Sequence, residues 1–348
     1  MVAFVLVGWG HRSHAWWEAA RGIGAECVGV VVRSPRETPV PAFGSLSEAI
    51  AATGARLAVA SVSWDATPAI AREAADAGIG IVVETPPAPD SDGLEALWRH
   101  VGASGLVQVA EQYPRYPSHA ARLALTASGV IGTPTQVQVS STQTYHALSL
   151  MRAHLGWPDG ATRVTATTVT APVLQPLSRA GWTGATEPEA ATTTHAVLDF
   201  GDGRSGVYDF TDNLTRNLLR FRRLTVRGTL GELDADTVVR WGGPETILTS
   251  RIERRQSGYD LDMSGYDTET LSHDGRVLWR NPWPGLHWPD DTLATATLLR
   301  DALAWAADEG PEPYPLERAL TDARLGFGIQ AAAEAGGTLT VPAPPWAG

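Results

Sequence analysis

The stretch Phe4-Val5-Leu6-Val7-Gly8-Trp9-Gly10-His11-Arg12-Ser13-His14 decides how the rest of this chain is read. A short apolar run, residues 2–7, ends at two glycines one residue apart and passes directly into a segment with helical spacing, residues 14–21. Such a run lacks polar alternation, as a parallel strand covered on both faces does. Gly8 permits a tight turn. Gly10 lets the backbone approach a phosphate at a helix N-terminus, where free N–H groups and the dipole favour negative charge. Ser13 stands where a full G-x-G-x-x-G dinucleotide fingerprint has its third glycine, and its hydroxymethyl is small enough for close packing.

Outward from this loop the same alternation continues. Apolar runs at 25–32, 57–61, 79–83 and 107–110 are separated by amphipathic stretches at 46–52, 67–77 and 91–101, which predicts five parallel strands interleaved with four helices. After Tyr113 the prolines Pro114 and Pro117 break the pattern. A helix over 118–128, a turn over 129–134 and a strand over 135–141 follow. Alternating segments at 164–173, 192–200, 205–211, 218–226, 237–241 and 276–280 then suit a sheet with one covered face. Helices are expected over 291–307 and 315–334, and the Pro-rich tail after Val341 is expected on the surface. The expected architecture is an α/β Rossmann domain, 1–117, followed by an α+β domain with a large, mostly antiparallel open sheet, 118–348.

Composition narrows the function. With 348 residues, two cores are the natural expectation, and a formal net charge of -11 argues against nucleic acid or an anionic membrane as partner. All 27 basic residues are arginine; the chain contains no lysine. Its single cysteine, Cys27, forms no intramolecular disulfide, which fits a cytoplasmic protein. Residues 2–7 are too short for a membrane span and carry no basic segment ahead of them. His11, His14, His119, His146, His154 and His195 show no ligand spacing, so no metal site is expected.

Where a carboxylate usually holds the ribose hydroxyls of NAD, the second strand ends in Val32-Arg33-Ser34. Arg33, with Ser34 and Arg36, suits a 2′-phosphate, which favours NADP over NAD. Trp9 in the loop and Ser63 and Trp64 after the third strand are placed to border the cofactor. Glu111 and Tyr113, after the fifth strand, lie at the carboxyl edge where ligands of such sheets collect; either suits a substrate-orienting or acid role, with Gln112 between them on the cofactor side. The polar strand 207–213 and Arg216, Arg220, Arg222 and Arg223 suit a hydroxylated or anionic ligand or an oligomer interface equally.

Several markers in order resemble the Gfo/Idh/MocA family, the glucose-fructose oxidoreductase and inositol dehydrogenase group, across nearly the whole chain. They are the fingerprint, Glu84-Thr85-Pro86, Glu111-Gln112-Tyr113, Ser128 to Pro134, His146 to Gly156, and Gly228-Thr229-Leu230-Gly231-Glu232. The resemblance implies a nicotinamide cofactor contacted by Gly8, Trp9, Gly10, His11, Arg12, Glu84, Thr85 and Pro86. It also implies a sugar, polyol or cyclitol substrate and a homodimer or homotetramer. Two departures stand out: Thr85 replaces the lysine of the family's Glu-Lys-Pro, and Thr142 stands four residues before His146 where the family often has aspartate. His146 keeps the imidazole, the natural proton acceptor near neutral pH. The expected activity is therefore NAD(P)-dependent oxidation or reduction with His146 as acid/base. Two alternatives stay open: transient redox with elimination on a tightly held NAD, and a nucleotide-binding protein without catalysis.

Overall fold

Phe4–Val7 forms β1, and all four of its residues are buried, as an apolar strand between two helical layers must be. The computed structural model describes residues 2–258 and 260–347. Following β1 come α1 (His11–Ile23), β2 (Cys27–Val31), β3 (Ala42–Phe43), α2 (Leu46–Thr53), β4 (Leu57–Ala60), α3 (Thr67–Asp76), β5 (Gly80–Val83), α4 (Ser91–Val101) and β6 (Val107–Val109). Local signals set the helix ends. Ser45 Oγ accepts from Glu48 N–H at 3.1 Å to start α2, and Asp90 Oδ1 accepts from Gly93 N–H at 2.7 Å to start α4. Gly24, at φ 69°, closes α1 in the left-handed region.

The strands form one parallel sheet ordered β3-β2-β1-β4-β5-β6. The Rossmann expectation holds with a sixth strand added, because β3 is only two residues long and leaves no pattern in the sequence. The strand order reverses between β1 and β4, and the carboxyl ends there bound the ligand crevice of such sheets.

Beyond lie α5 (Pro117–Ala127), β7 (Pro134–Ser140), α6 (Thr144–His154), β8 (Thr162–Val173), β9 (Leu177–Ser178), β10 (Gly181–Trp182), β11 (Glu189–Gly201), β12 (Arg204–Thr211), β13 (Arg223–Gly228), β14 (Gly231–Asp234), β15 (Thr237–Gly243) and β16 (Thr246–Arg251). Next are β17 (Glu253–Ser257), β18 (Asp267–His273), β19 (Arg276–Arg280), α7 (Asp290–Ala306), α8 (Leu316–Ala335) and β20 (Thr338–Val341). Nine of these strands build a sheet ordered β16-β15-β14-β13-β7-β12-β11-β8-β20, in which only β7 and β12 run parallel. This is the large, mostly antiparallel sheet that the alternation predicts.

Two expectations hold only in part. The strand expected over 218–226 begins only at Arg223. Asn213 Nδ2 donates to the Leu177 carbonyl at 2.8 Å and Asn217 Nδ2 to the Leu174 carbonyl at 2.9 Å, so residues 212–220 turn instead of extending. The tail after Val341 is not loose on the surface either. Trp346 is buried, and its indole N–H donates to Thr321 Oγ1 at 2.8 Å.

The chain divides into two compact units, and the first is discontinuous: residues up to 120, 254–270 and 279–320. The contiguous border read at 117/118 does not anticipate this. Helix α7 supplies Leu298, Leu299, Ala302 and Leu303 to the core formed by Phe4, Leu6, Trp16, Cys27, Val30 and Leu57. Its apolar stripe is removed from water against the first sheet layer, so the helix belongs there despite its position in the chain. In the second unit the buried Arg152 of α6 pairs with Asp322 of α8 and donates Nε to the Pro158 carbonyl at 2.9 Å. Among the described residues no helix is long and apolar enough to cross a membrane.

Candidate active site

The glycine loop joins β1 to α1 as the sequence predicts. Gly8 lies at φ 93°, and a Cβ there would sit 2.6 Å from the Ser61 carbonyl oxygen at the end of β4, so only glycine fits. Gly10 is the N-cap of α1 in an extended conformation, no side chain caps it, and the first turn contains no acidic residue. A Cβ built on Gly10 would meet nothing within 4 Å. The helix thus presents uncapped N–H groups beside open space, which suits an approaching diphosphate. His11 is exposed, while the His14 ring shares a 2.7 Å hydrogen bond with the Gly10 carbonyl. The Trp9 indole packs back on its own helix, 4.5 Å from the His14 ring and 6.3 Å from Trp17.

At the end of β2, Arg33 and Ser34 are exposed. Arg36 folds back toward the loop, donating Nη1 to the Trp9 carbonyl at 3.2 Å and Nη2 to Ser34 Oγ at 3.3 Å. Positive charge therefore flanks the glycine loop on the β2 side. After β4, Ser63 receives its backbone bonds from Ala66 and Thr67, and Trp64 is 50% exposed.

Arg12 and Glu84 form a connected group at this edge. Arg12 Nε donates to Glu84 Oε1 at 2.9 Å, and the Trp16 indole N–H donates to the same oxygen at 2.9 Å. Arg12 Nη1 reaches Thr295 Oγ1 at 3.3 Å and lies 4.0 Å from Asp291. Burial opposes the Arg12 charge, but Glu84 and Asp291 outweigh it and hold the guanidinium pKa above its ordinary value. Thr85 follows Glu84, half-buried, and its bond to the buried Pro86 is cis. Glu84 is thus engaged by two side chains of α1. Neither Thr295, Asp291 nor the Ser61 carbonyl leaves a local sequence signal, because each meets the loop from a distant part of the chain.

Glu111 is buried at 2% exposure, and its Oε1 accepts from the Tyr113 N–H at 3.0 Å, closing the turn that follows β6. Gln112 is buried within that turn, and Tyr113 packs 5.1 Å from the Tyr116 ring. Tyr116 in turn donates its hydroxyl to Asp291; burial, the leading cause, and Asp291 push its pKa far up. Ordered side chains therefore line the carboxyl edge from β1 to β6.

His146 belongs to the second unit, in the first turn of α6, half-buried with its ring 4.4 Å from that of Tyr145. Tyr145 donates its hydroxyl to Gln143 Oε1 at 2.9 Å. Thr142 is fully buried, and its hydroxyl has no hydrogen-bond partner. The helix itself escapes the sequence reading, since residues 144–154 begin without a capping side chain.

No protein-family model matches this chain. No curated protein is detectably similar to it in sequence. Solved structures do match over nearly full length. An oxidoreductase from Agrobacterium radiobacter in complex with NAD+, L-tartaric acid and magnesium is 17% identical, with 98% of each chain covered and a TM-score of 0.69. A levoglucosan dehydrogenase in complex with NADH and levoglucosan is 17% identical over 98% of this chain and 99% of that one, TM-score 0.68. A myo-inositol dehydrogenase from Corynebacterium glutamicum is 16% identical over 98% and 99%, TM-score 0.65. At these identities the likeness establishes the two-part fold, a Rossmann sheet followed by a large mixed sheet, which this chain shares with these solved structures.

Proposed function

We propose that this protein is an NAD(P)-dependent oxidoreductase of the Gfo/Idh/MocA type acting on a sugar, cyclitol or related hydroxylated metabolite. The observation that carries the reading is the uncapped α1 N-terminus at Gly10, opening on free space behind a Gly8 that only glycine can fill. The structural likeness to dehydrogenases of levoglucosan and myo-inositol supports the substrate class.

A nicotinamide, when bound, supplies the hydride acceptor or donor. The chain's residues do the rest. Gly8 and Gly10 let main-chain amides reach the diphosphate, and His11, Trp9, Ser63, Trp64, Thr85, Pro86 and Gln112 border the cofactor. Arg33, Ser34 and Arg36 favour a 2′-phosphate, hence NADP over NAD. His146 takes the hydroxyl proton as the hydride leaves carbon, and returns it in the reverse direction. Glu111 and Tyr113 orient the substrate. Without a lysine at position 85 or an aspartate at 142, His146 works without either helper. Assembly as a homodimer or homotetramer is supported by Val169 and Val197, 52% and 53% exposed on neighbouring strands of the large sheet.

Calorimetry with NADPH and NADH, followed by absorbance at the reduced-nicotinamide band with a polyol panel, tests this. NADPH is expected to bind about tenfold more tightly than NADH, and His146→Ala to lower kcat about 100-fold or more. Absence of binding to either cofactor overturns the proposal.

A further inference from the structure

Arg12 carries a feature that its ion pair with Glu84 does not explain. Its Nε and Nη1 are engaged by Glu84 and Thr295, and its guanidinium lies 5.1 Å above the Trp16 ring. Its Nη2 is inaccessible to water and has no hydrogen-bond partner. A buried donor left unpaired costs free energy comparable to a lost hydrogen bond, so a group held this firmly with one nitrogen idle is poised for an acceptor.

Topology indicates which part of a dinucleotide that acceptor belongs to. Strand order reverses between β1 and β4, so one mononucleotide half lies over β1-β2-β3 and the other over β4-β5-β6. Arg33, Ser34 and Arg36 mark the β2 side for the adenosine half. Arg12 starts from the helix after β1 and reaches Glu84 after β5, so its guanidinium crosses to the other half, that of the nicotinamide. Charge indicates the kind of acceptor. Glu84 at 2.9 Å and Asp291 at 4.0 Å already balance the guanidinium, which leaves Nη2 suited to a neutral carbonyl and not to another anion.

We infer that Arg12 Nη2 donates a hydrogen bond to the carboxamide oxygen of a bound nicotinamide and so fixes the rotation of that ring. The inference rests on the dinucleotide reading above and adds to it the atom and the cofactor half. Glu84, Trp16 and Thr295 are the positioning residues that hold the donor.

The test uses the full-length protein and two ligands, NADPH and 2′-phospho-ADP-ribose, which lacks the nicotinamide. Arg12→Lys keeps a positive charge beside Glu84 but replaces the three guanidinium nitrogens by one ammonium and so removes Nη2; Arg12→Gln with Glu84→Gln removes both charges together, so that neither is left buried alone. In both variants NADPH binding is expected to weaken about tenfold while 2′-phospho-ADP-ribose stays within about twofold of the parent. Equal losses for the two ligands, or an unchanged NADPH affinity, overturn the inference and leave Arg12 a structural residue. Failure of the parent protein to bind either ligand overturns the dinucleotide reading itself and this inference with it, a result distinct from the first two.

Discussion

Gly8 shows how much a single residue discloses and where it stops. Its place between an apolar run and a helix predicts a tight turn, and its φ of 93° bears that turn out. The second reason for glycine, the Ser61 carbonyl 2.6 Å from any Cβ, comes from the end of another strand. Gly8→Ala therefore combines a strained backbone with a clash, and should lower unfolding free energy by about 1–3 kcal/mol in urea titrations, with weakened NADPH binding. Arg12 is the complementary case. The family resemblance implies only a cofactor contact there, and the folded chain pairs it with Glu84, 72 residues away. Nothing within the fingerprint encodes that choice.

At the level of elements, periodicity serves well where a helix or strand carries its own signal. Strands β1, β2, β4, β5 and β6 and helices α2, α3 and α4 lie close to where apolar spacing and caps put them. It fails where side chains from other segments intervene, as at Asn213 and Asn217, or where an element is too short, as at β3. The C-terminal tail is the clearest instance, because proline composition suggests exposure while Trp346 finds a buried seat and a partner in Thr321. Trp346→Ala should cost about 3 kcal/mol by chemical denaturation, whereas Ala347→Ser, one residue on and exposed, should cost less than about 0.5 kcal/mol.

For the molecule as a whole, stability should depend on pH through His154. It is buried on α6, its Nδ1 meets Thr126 Oγ1 at 3.0 Å, and its Nε2 has no partner. Burial, reinforced by the nearby Arg122 charge, lowers its pKa from 6.5 to about 3. The folded protein therefore holds this imidazole neutral while the unfolded chain protonates it. The contribution is fully present above pH 6.5 and is lost as pH falls toward 3, by about 1.4 kcal/mol per pH unit. Urea midpoints between pH 7 and 5 should fall in the parent and flatten in His154→Gln; equal slopes would count against this assignment. Cys27 behaves in the same spirit, its thiol pushed up to about 11 mainly by desolvation, which leaves it poorly nucleophilic in the folded state.

By itself the amino-acid pattern determined the alternation of strand and helix, the glycine turn after β1, the sheet-rich second half and the arginines at the end of β2. These are local properties, written in the spacing of apolar residues and in the few residue types that tight turns accept. Only the tertiary structure decided that α7 completes the first unit's core, that Glu84 engages Arg12 and Trp16, and that one guanidinium nitrogen remains unused. Those outcomes depend on segments up to 283 residues apart in the chain meeting at one crevice, and which burial and which charge pairing wins there is settled by the packing of the whole first unit.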